Sequence, residues 1–228
     1  MAENVMYLMN DDYCEQDTIH YIKPYMFIKG YALGKELSQT MLALPVARKF
    51  HDGQYRKSGE PYFTHPLKVC STLISYGIDD DVTLAAAILH DVLEDCGDKL
   101  PVGGQSLIQE YGIAPEVVET ISLLSKRSGL DDQQLGEYFQ KIEKNPRAAL
   151  IKLADRLHNS GSLYTFTDAK MAKYLRETNL FLIPMASYCK KYYPQYSNAF
   201  SILKSGITAL NDSMSAMLKR VAPESADT

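Results

Sequence analysis

Three carboxylic acids and an imidazole, those of His90, Asp91, Glu94 and Asp95, fall within six consecutive residues. On a helix turning 100° per residue they occupy an arc of roughly 140°, a single face. The run before them, Leu84-Ala85-Ala86-Ala87-Ile88-Leu89, is apolar on almost every side, so the helix that carries them belongs in the interior. Unpaired charge is costly there, and a divalent cation is the natural compensation. The competing reading is a polar helix end. Acids in a last turn oppose the helix dipole, which weakens that reading.

A second cluster is Lys152-Leu153-Ala154-Asp155-Arg156-Leu157-His158-Asn159, where Asp155, His158 and Asn159 share one helical face. Taken alone it also fits an ordinary Asp-Arg surface pair. The third cluster runs from Arg56-Lys57-Ser58-Gly59 to His65-Pro66. Two cations and a hydroxyl beside glycine can grip phosphate oxygens, and His65 stands at the mouth of a helix. An exposed basic turn is the alternative. In combination His65, His90, Asp91 and Asp155 offer two nitrogens and two oxygens from three helices. That set suits Mn2+, Fe2+ or Zn2+ and leaves positions open for water and substrate.

The elements that must position these residues read as helices. Leu37, Met41, Leu44 and Ala47 mark one buried face, and Gly53 and Ser58-Gly59-Glu60-Pro61 break the chain into a loop. Pro66 suits the first turn of a helix stopping at Gly77. Asp79, Asp80 and Asp81 supply the N-cap and first turn of a helix expected to continue through Asp95. Shorter helices are expected near 105–111, 115–125 and 132–144, then one from Arg147 to about Tyr164. Two long ones follow, 170–192, bent near Pro184, and 196–218. No alternating strand pattern is present, although residues 1–34 are ambiguous. The expectation is one all-α domain over 35–220, with an N-terminal extension at 1–34 and a frayed tail at 221–228.

Composition excludes other classes. The 228 residues are 46% hydrophobic and 23% charged with a net charge of -4, which argues against general nucleic-acid binding. Cys14, Cys70, Cys96 and Cys189 form no C-x-x-C pair, so neither a disulfide framework nor a zinc-thiolate knuckle is expected. The polar, acidic N-terminus is no signal peptide, and no apolar run spans a bilayer, so a cytoplasmic protein with no membrane partner is expected.

The ordered segments His51 to Pro66, Ala86 to Asp95 and Lys152 to Asn159 resemble the HD superfamily, and within it the hydrolase domain of the RelA/SpoT family. The resemblance implies an all-α, HD-type helical bundle that hydrolyses the 3′-pyrophosphate of (p)ppGpp, a guanosine alarmone, to GDP or GTP and pyrophosphate, usually with Mn2+. By motif position it makes His65, His90, Asp91 and Asp155 the metal ligands and Glu94 and Asp95 the catalytic acids. It makes Arg56, Lys57 and Ser58 the nucleotide-contacting turn, with Asn159 as a further substrate contact and Ser162 where threonine is common. His51 belongs to the motif with a local structural role. The chain ends soon after this region, so synthesis is not expected. The chain then resembles small stand-alone alarmone hydrolases, some of them similar to antitoxins that neutralise a partner synthetase. The alternatives are an HD phosphohydrolase of another nucleotide (an adenosine alarmone, NADPH, a nucleotide monophosphate or a pyrophosphorylated RNA end) and a non-catalytic alarmone-binding protein.

Overall fold

The computed structural model describes residues 15–126 and 129–221. Among them the chain is helices and turns, with one isolated antiparallel bridge between Tyr55 and Pro61. The all-α expectation holds. No helix among the described residues is long and apolar enough to cross a membrane.

The first helix, α1 (Glu15–Gly34), covers much of the stretch that was ambiguous in sequence; residues 1–14 lie outside the described part. Tyr21, Tyr25, Ile28 and Ala32 recur at three- and four-residue steps and bury one of its faces. Tyr21 and Tyr25 meet Phe63 edge-on at centroid distances of 5.2 and 6.3 Å, which seats α1 over the start of α3 (Thr64–Ser75). Gly77, at φ +85°, ends that helix as expected, in a conformation that side chains disfavour.

The core is organised around α4 (Asp81–Leu89), in which every residue from Thr83 to Leu89 is buried. It packs against α2 (Ser38–Phe50), α3, α7 (Pro115–Leu124) and α9 (Pro146–Ser160). The three aspartates at its start divide their work. Asp80 caps α4, accepting from Thr83 N at 3.0 Å, and also accepts from Arg147 Nε at 2.7 Å, which ties α4 to the start of α9. Asp81 reaches back to the N-terminus of α2, accepting from Gln39 N at 2.8 Å and Thr40 N at 2.7 Å. Asp79 pairs with Lys35.

One helix expectation needs correction. The chain does not run helically through Asp95: α4 stops at Leu89, and a separate turn, α5 (Val92–Asp95), follows. At the break the imidazole Nδ1 of His90 bonds the Ala87 carbonyl at 2.9 Å, an oxygen that a continuing helix uses for a backbone N–H. Likewise α9 ends at Ser160 and a 3-10 turn, Leu163–Thr165, replaces its expected last turn. Between these regions lie α6 (Gly104–Tyr111) and α8 (Asp132–Ile142).

The C-terminal helices brace α9 from behind. The expected bent helix is α10 (Asp168–Glu177), a π turn at Thr178–Leu182, and α11 (Ile183–Tyr192). Pro184 has no N–H to return to the preceding turn, and the wider π turn lies just before it. In α12 (Ser197–Val221), Gly206 passes α9 so closely that a Cβ there would lie 3.0 Å from Leu157 Cδ1. The expected tail falls on residues outside the described part, beyond Val221.

Candidate active site

The cluster begins with three helices meeting end to side. α3 opens with His65, the break after α4 holds His90 and Asp91, and α9 contributes Asp155 from its third turn. Ligand atoms of His65, His90 and Asp91 all lie within 4.8 Å of one another. Asp155 completes the group, its Oδ1 3.2 Å from His65 Nε2 and 3.9 Å from His90 Nε2. Asp91 Oδ1 is 3.2 Å from His90 Nε2, and its Oδ2 is 3.5 Å from His65 Nε2.

The protonation of this cluster matches what a cation needs. A carbonyl only accepts, so His90 Nδ1 carries the hydrogen it gives to Ala87, and in the neutral ring it is Nε2 that offers the lone pair. That Nε2 is buried and has no hydrogen-bond partner despite its nearness to two carboxylates. Burial lowers the pKa of His65, which keeps its ring neutral at pH 7. Burial also pushes Asp91 and Asp155 upward, but their neighbours outweigh it: the Tyr62 hydroxyl that Asp91 accepts, and the Lys152 ammonium and His65 hydrogen bond at Asp155. Two carboxylates and two imidazole nitrogens thus converge, a donor set suited to a divalent transition metal.

Further side chains hold these four. Tyr62 donates its hydroxyl to Asp91 Oδ2 at 2.8 Å, and Lys152 reaches Asp155 Oδ2 at 3.4 Å. Asn159 Nδ2 donates to Asp155 Oδ1 at 2.6 Å, while its Oδ1 accepts from Arg56 Nη2 at 2.7 Å. One continuous chain of hydrogen bonds therefore joins the basic turn to the Asp155 carboxylate. Behind His65, its Nδ1 lies 2.8 Å from His158 Nδ1.

The basic turn is a small hairpin-like loop. Arg56 N donates to Glu60 O at 2.8 Å, Gly59 N donates to Arg56 O at 2.9 Å, and Gly59 takes φ +84° to close it. This presents Arg56, Lys57 and Ser58 to a cleft of about 430 Å3. Asp91, Glu94, Asp95, Asp155, Asn159 and Ser162 line the same cleft. Glu94 accepts from Lys126 N at 3.1 Å, and burial raises its carboxyl above the ordinary range. The interrupted helix therefore still delivers both acids to the space in front of the cluster.

Every expected site residue lies in or under this cleft. Sequence reasoning missed Tyr55, Tyr62, Lys152, Thr165, Phe166 and Lys170, which also line it. Lys170 Nζ stands 4.1 Å from the Phe166 ring centroid, a cation over an aromatic face. Tyr62 was inside the quoted motif, and the helical break turns Asp91 to meet it. His51 packs rather than converges: its Nδ1 bonds Gln54 Oε1 at 2.7 Å and its ring stacks on Tyr62 at 4.8 Å. Arg156, beside Asp155 in sequence, points away from the cleft and pairs with Glu177.

Comparison with known proteins fits this geometry. The HD domain family matches residues 43–187. The chain is 32% identical over 214 residues to the bifunctional (p)ppGpp synthase/hydrolase SpoT of Escherichia coli strain K12, covering 86% of this chain and 30% of that protein. It is 37% identical over 147 residues to the guanosine-3′,5′-bis(diphosphate) 3′-pyrophosphohydrolase of Haemophilus influenzae, covering 62% of this chain and 21% of that protein. This chain thus spans less than a third of the length of either relative. A metazoan ortholog of SpoT, described as hydrolysing ppGpp, superposes with a TM-score of 0.61 at 22% identity over 78% of this chain and 96% of that one. At that identity the likeness is one of fold.

Proposed function

The chain belongs to the HD domain family, and from that premise we propose that it is a Mn2+-dependent hydrolase removing the 3′-pyrophosphate of ppGpp or pppGpp. The observation that carries this reading is the unpartnered, buried Nε2 of His90, facing two carboxylates and the His65 imidazole beneath a cleft lined by Arg56, Lys57, Lys152 and Lys170. The relatives named for (p)ppGpp hydrolysis support the choice of substrate.

His65, His90, Asp91 and Asp155 would hold the ion, which when bound supplies Lewis acidity towards a phosphoryl oxygen and lowers the pKa of a bound water. In the reaction, water adds to the phosphorus attached to the 3′ oxygen. The P–O bond breaks with its electron pair on that oxygen, which takes up a proton as the hydroxyl of GDP or GTP. Glu94 and Asp95 orient the water, accept its proton and return one to the leaving oxygen. Burial raises the Glu94 carboxyl, which suits it to holding a proton for transfer. Arg56 and Lys57 neutralise charge building on the departing pyrophosphate, with the Ser58 hydroxyl as a further donor. Asn159 and Ser162 contact the nucleotide from the α9 side. The ring of Phe166, with Lys170 above it, offers a surface for the base.

The test is to incubate ppGpp with purified, Mn2+-loaded protein and follow GDP and pyrophosphate by anion-exchange chromatography. A Glu94→Gln/Asp95→Asn variant serves as control. Product formation that the control loses is the expected result. A folded, metal-loaded protein that releases no pyrophosphate from ppGpp overturns the reading, and the same assay with adenosine alarmones, NADPH and nucleotide monophosphates then identifies the substrate.

A further inference from the structure

We propose that His158 is a positioning residue that fixes the tautomer and the ring orientation of His65 when that imidazole takes a metal. The inference rests on His65 being a metal ligand, as argued above.

The geometry is specific. The two Nδ1 atoms lie 2.8 Å apart and the ring centroids 4.7 Å apart, with the planes inclined at 43°. His158 does not line the catalytic cleft. It borders a separate groove with Pro24, Lys68, Ser71 and Tyr76. It is therefore placed to act on His65 and not on substrate. Its position on α9, three residues after Asp155 and next to Asn159, puts three functions on one helical turn. Asp155 faces the cluster, Asn159 orients Asp155, and His158 orients the ligand contributed by α3.

Two facing ring nitrogens at this distance share one proton. Coordination through His65 Nε2 requires a bare lone pair there, so the proton of the neutral ring moves to Nδ1 and is donated to His158 Nδ1. His158 then carries its own proton on Nε2. In the metal-free protein the pair admits the opposite assignment, with His65 Nε2–H facing Asp155 Oδ1 at 3.2 Å. A bound ion would favour the first assignment, because it needs the His65 Nε2 lone pair; each ring holds one proton in either assignment, so the two differ only in which nitrogen carries it and not in net charge. A side chain at 158 that accepts at the Nδ1 position is needed; an apolar one leaves the His65 N–H buried without an acceptor.

The experiment measures Mn2+ affinity by calorimetry for the unsubstituted protein, His158→Leu and His158→Asn, whose amide places an oxygen near the Nδ1 position. The Leu variant is expected to bind about 10–100-fold more weakly, and the Asn variant to recover most of the loss. In parallel, imidazole 15N shifts of the Zn2+-loaded protein are expected to show His65 protonated at Nδ1 and His158 at Nε2. The spectrum decides the matter alone if the Leu variant does not fold. Parent-like affinity in folded His158→Leu, equal loss in both variants, or the reverse tautomers would overturn the proposal. Failure of the unsubstituted protein to bind Mn2+ would remove the ligand assignment beneath it.

Discussion

Helix α9 carries two charged clusters on opposite flanks, and both are withdrawn from solvent. Asp155 is 9% exposed and Arg156 5%. On the Arg156 side the groups are matched. Its Nη1 donates to Thr178 Oγ1 at 3.1 Å and to Tyr174 O at 3.3 Å, its Nη2 pairs with Glu177, and its guanidinium lies over the Tyr174 ring at 3.8 Å. On the Asp155 side acceptors are in surplus: two carboxylates and two imidazole nitrogens converge, and His90 Nε2 has no partner. Burial and charge are common to both flanks. What separates a site from a brace is a convergence of unmatched lone pairs that opens onto a cleft.

The comparison breaks most visibly in activity. Asp91→Asn keeps the shape and an acceptor for Tyr62 but loses the carboxylate charge. Pyrophosphate release from ppGpp is expected to fall by about a thousandfold, the scale of a lost transition-state charge partner. Stability of the metal-free protein should change by about 1 kcal/mol or less. A comparable fall in stability would mean that this cluster is also a brace.

The opposite pattern is expected for Arg156→Met. Leaving Glu177 with only the longer Lys126 contact, 3.4 Å away, is expected to cost up to about 3 kcal/mol in denaturant unfolding, while Mn2+ affinity of the folded protein stays at the parent value. Adding Glu177→Leu should recover most of the stability. A loss of metal binding at full stability would erase the distinction between the flanks.

A smaller effect sharpens the cleft side. Tyr62→Phe removes the hydroxyl donated to Asp91 and is expected to weaken Mn2+ binding about tenfold, read by chelator competition. Unchanged affinity would assign Tyr62 to packing against His51 alone.

The smallest effect is in pH. Burial raises the Glu177 carboxyl, but Arg156 and Lys126 outweigh it and hold it below its ordinary 4.5. Its folded value lies below its unfolded value, so its contribution to stability is complete above about pH 4.5. That contribution is lost as pH falls through the depressed value. Unfolding measured from pH 6 to pH 2 should show a shallower acid-side decline in Glu177→Gln than in the parent; equal slopes would contradict the matched-pair account.

How much of this was legible in sequence differs by region. His65, His90, Asp91 and Asp155 could be grouped from residue type, helical spacing and a family resemblance, and they do converge. The apolar face that carries α4 was equally plain. The break at His90–Asp91 was not, because no glycine or proline marks it and the hydrophobic run gives no sign of the His90–Ala87 bond. Contacts across the fold were also silent. Arg56 and Asn159 are 103 residues apart in sequence and meet only once α9 packs beside the basic turn. Phe166 and Lys170 enter the cleft because α9 ends early and the chain turns back. Pro184 announced a disturbed helix, although the π turn it accompanies falls a few residues earlier.

The most direct test of the central claim is anomalous diffraction from crystals of the protein soaked in Mn2+. The account predicts one strong peak in coordination contact with His65 Nε2, His90 Nε2, Asp91 and Asp155, with Arg156 and Glu177 free of any. A peak held by Glu94 and Asp95 without the two histidines, or no peak in crystals that turn over ppGpp, would contradict it.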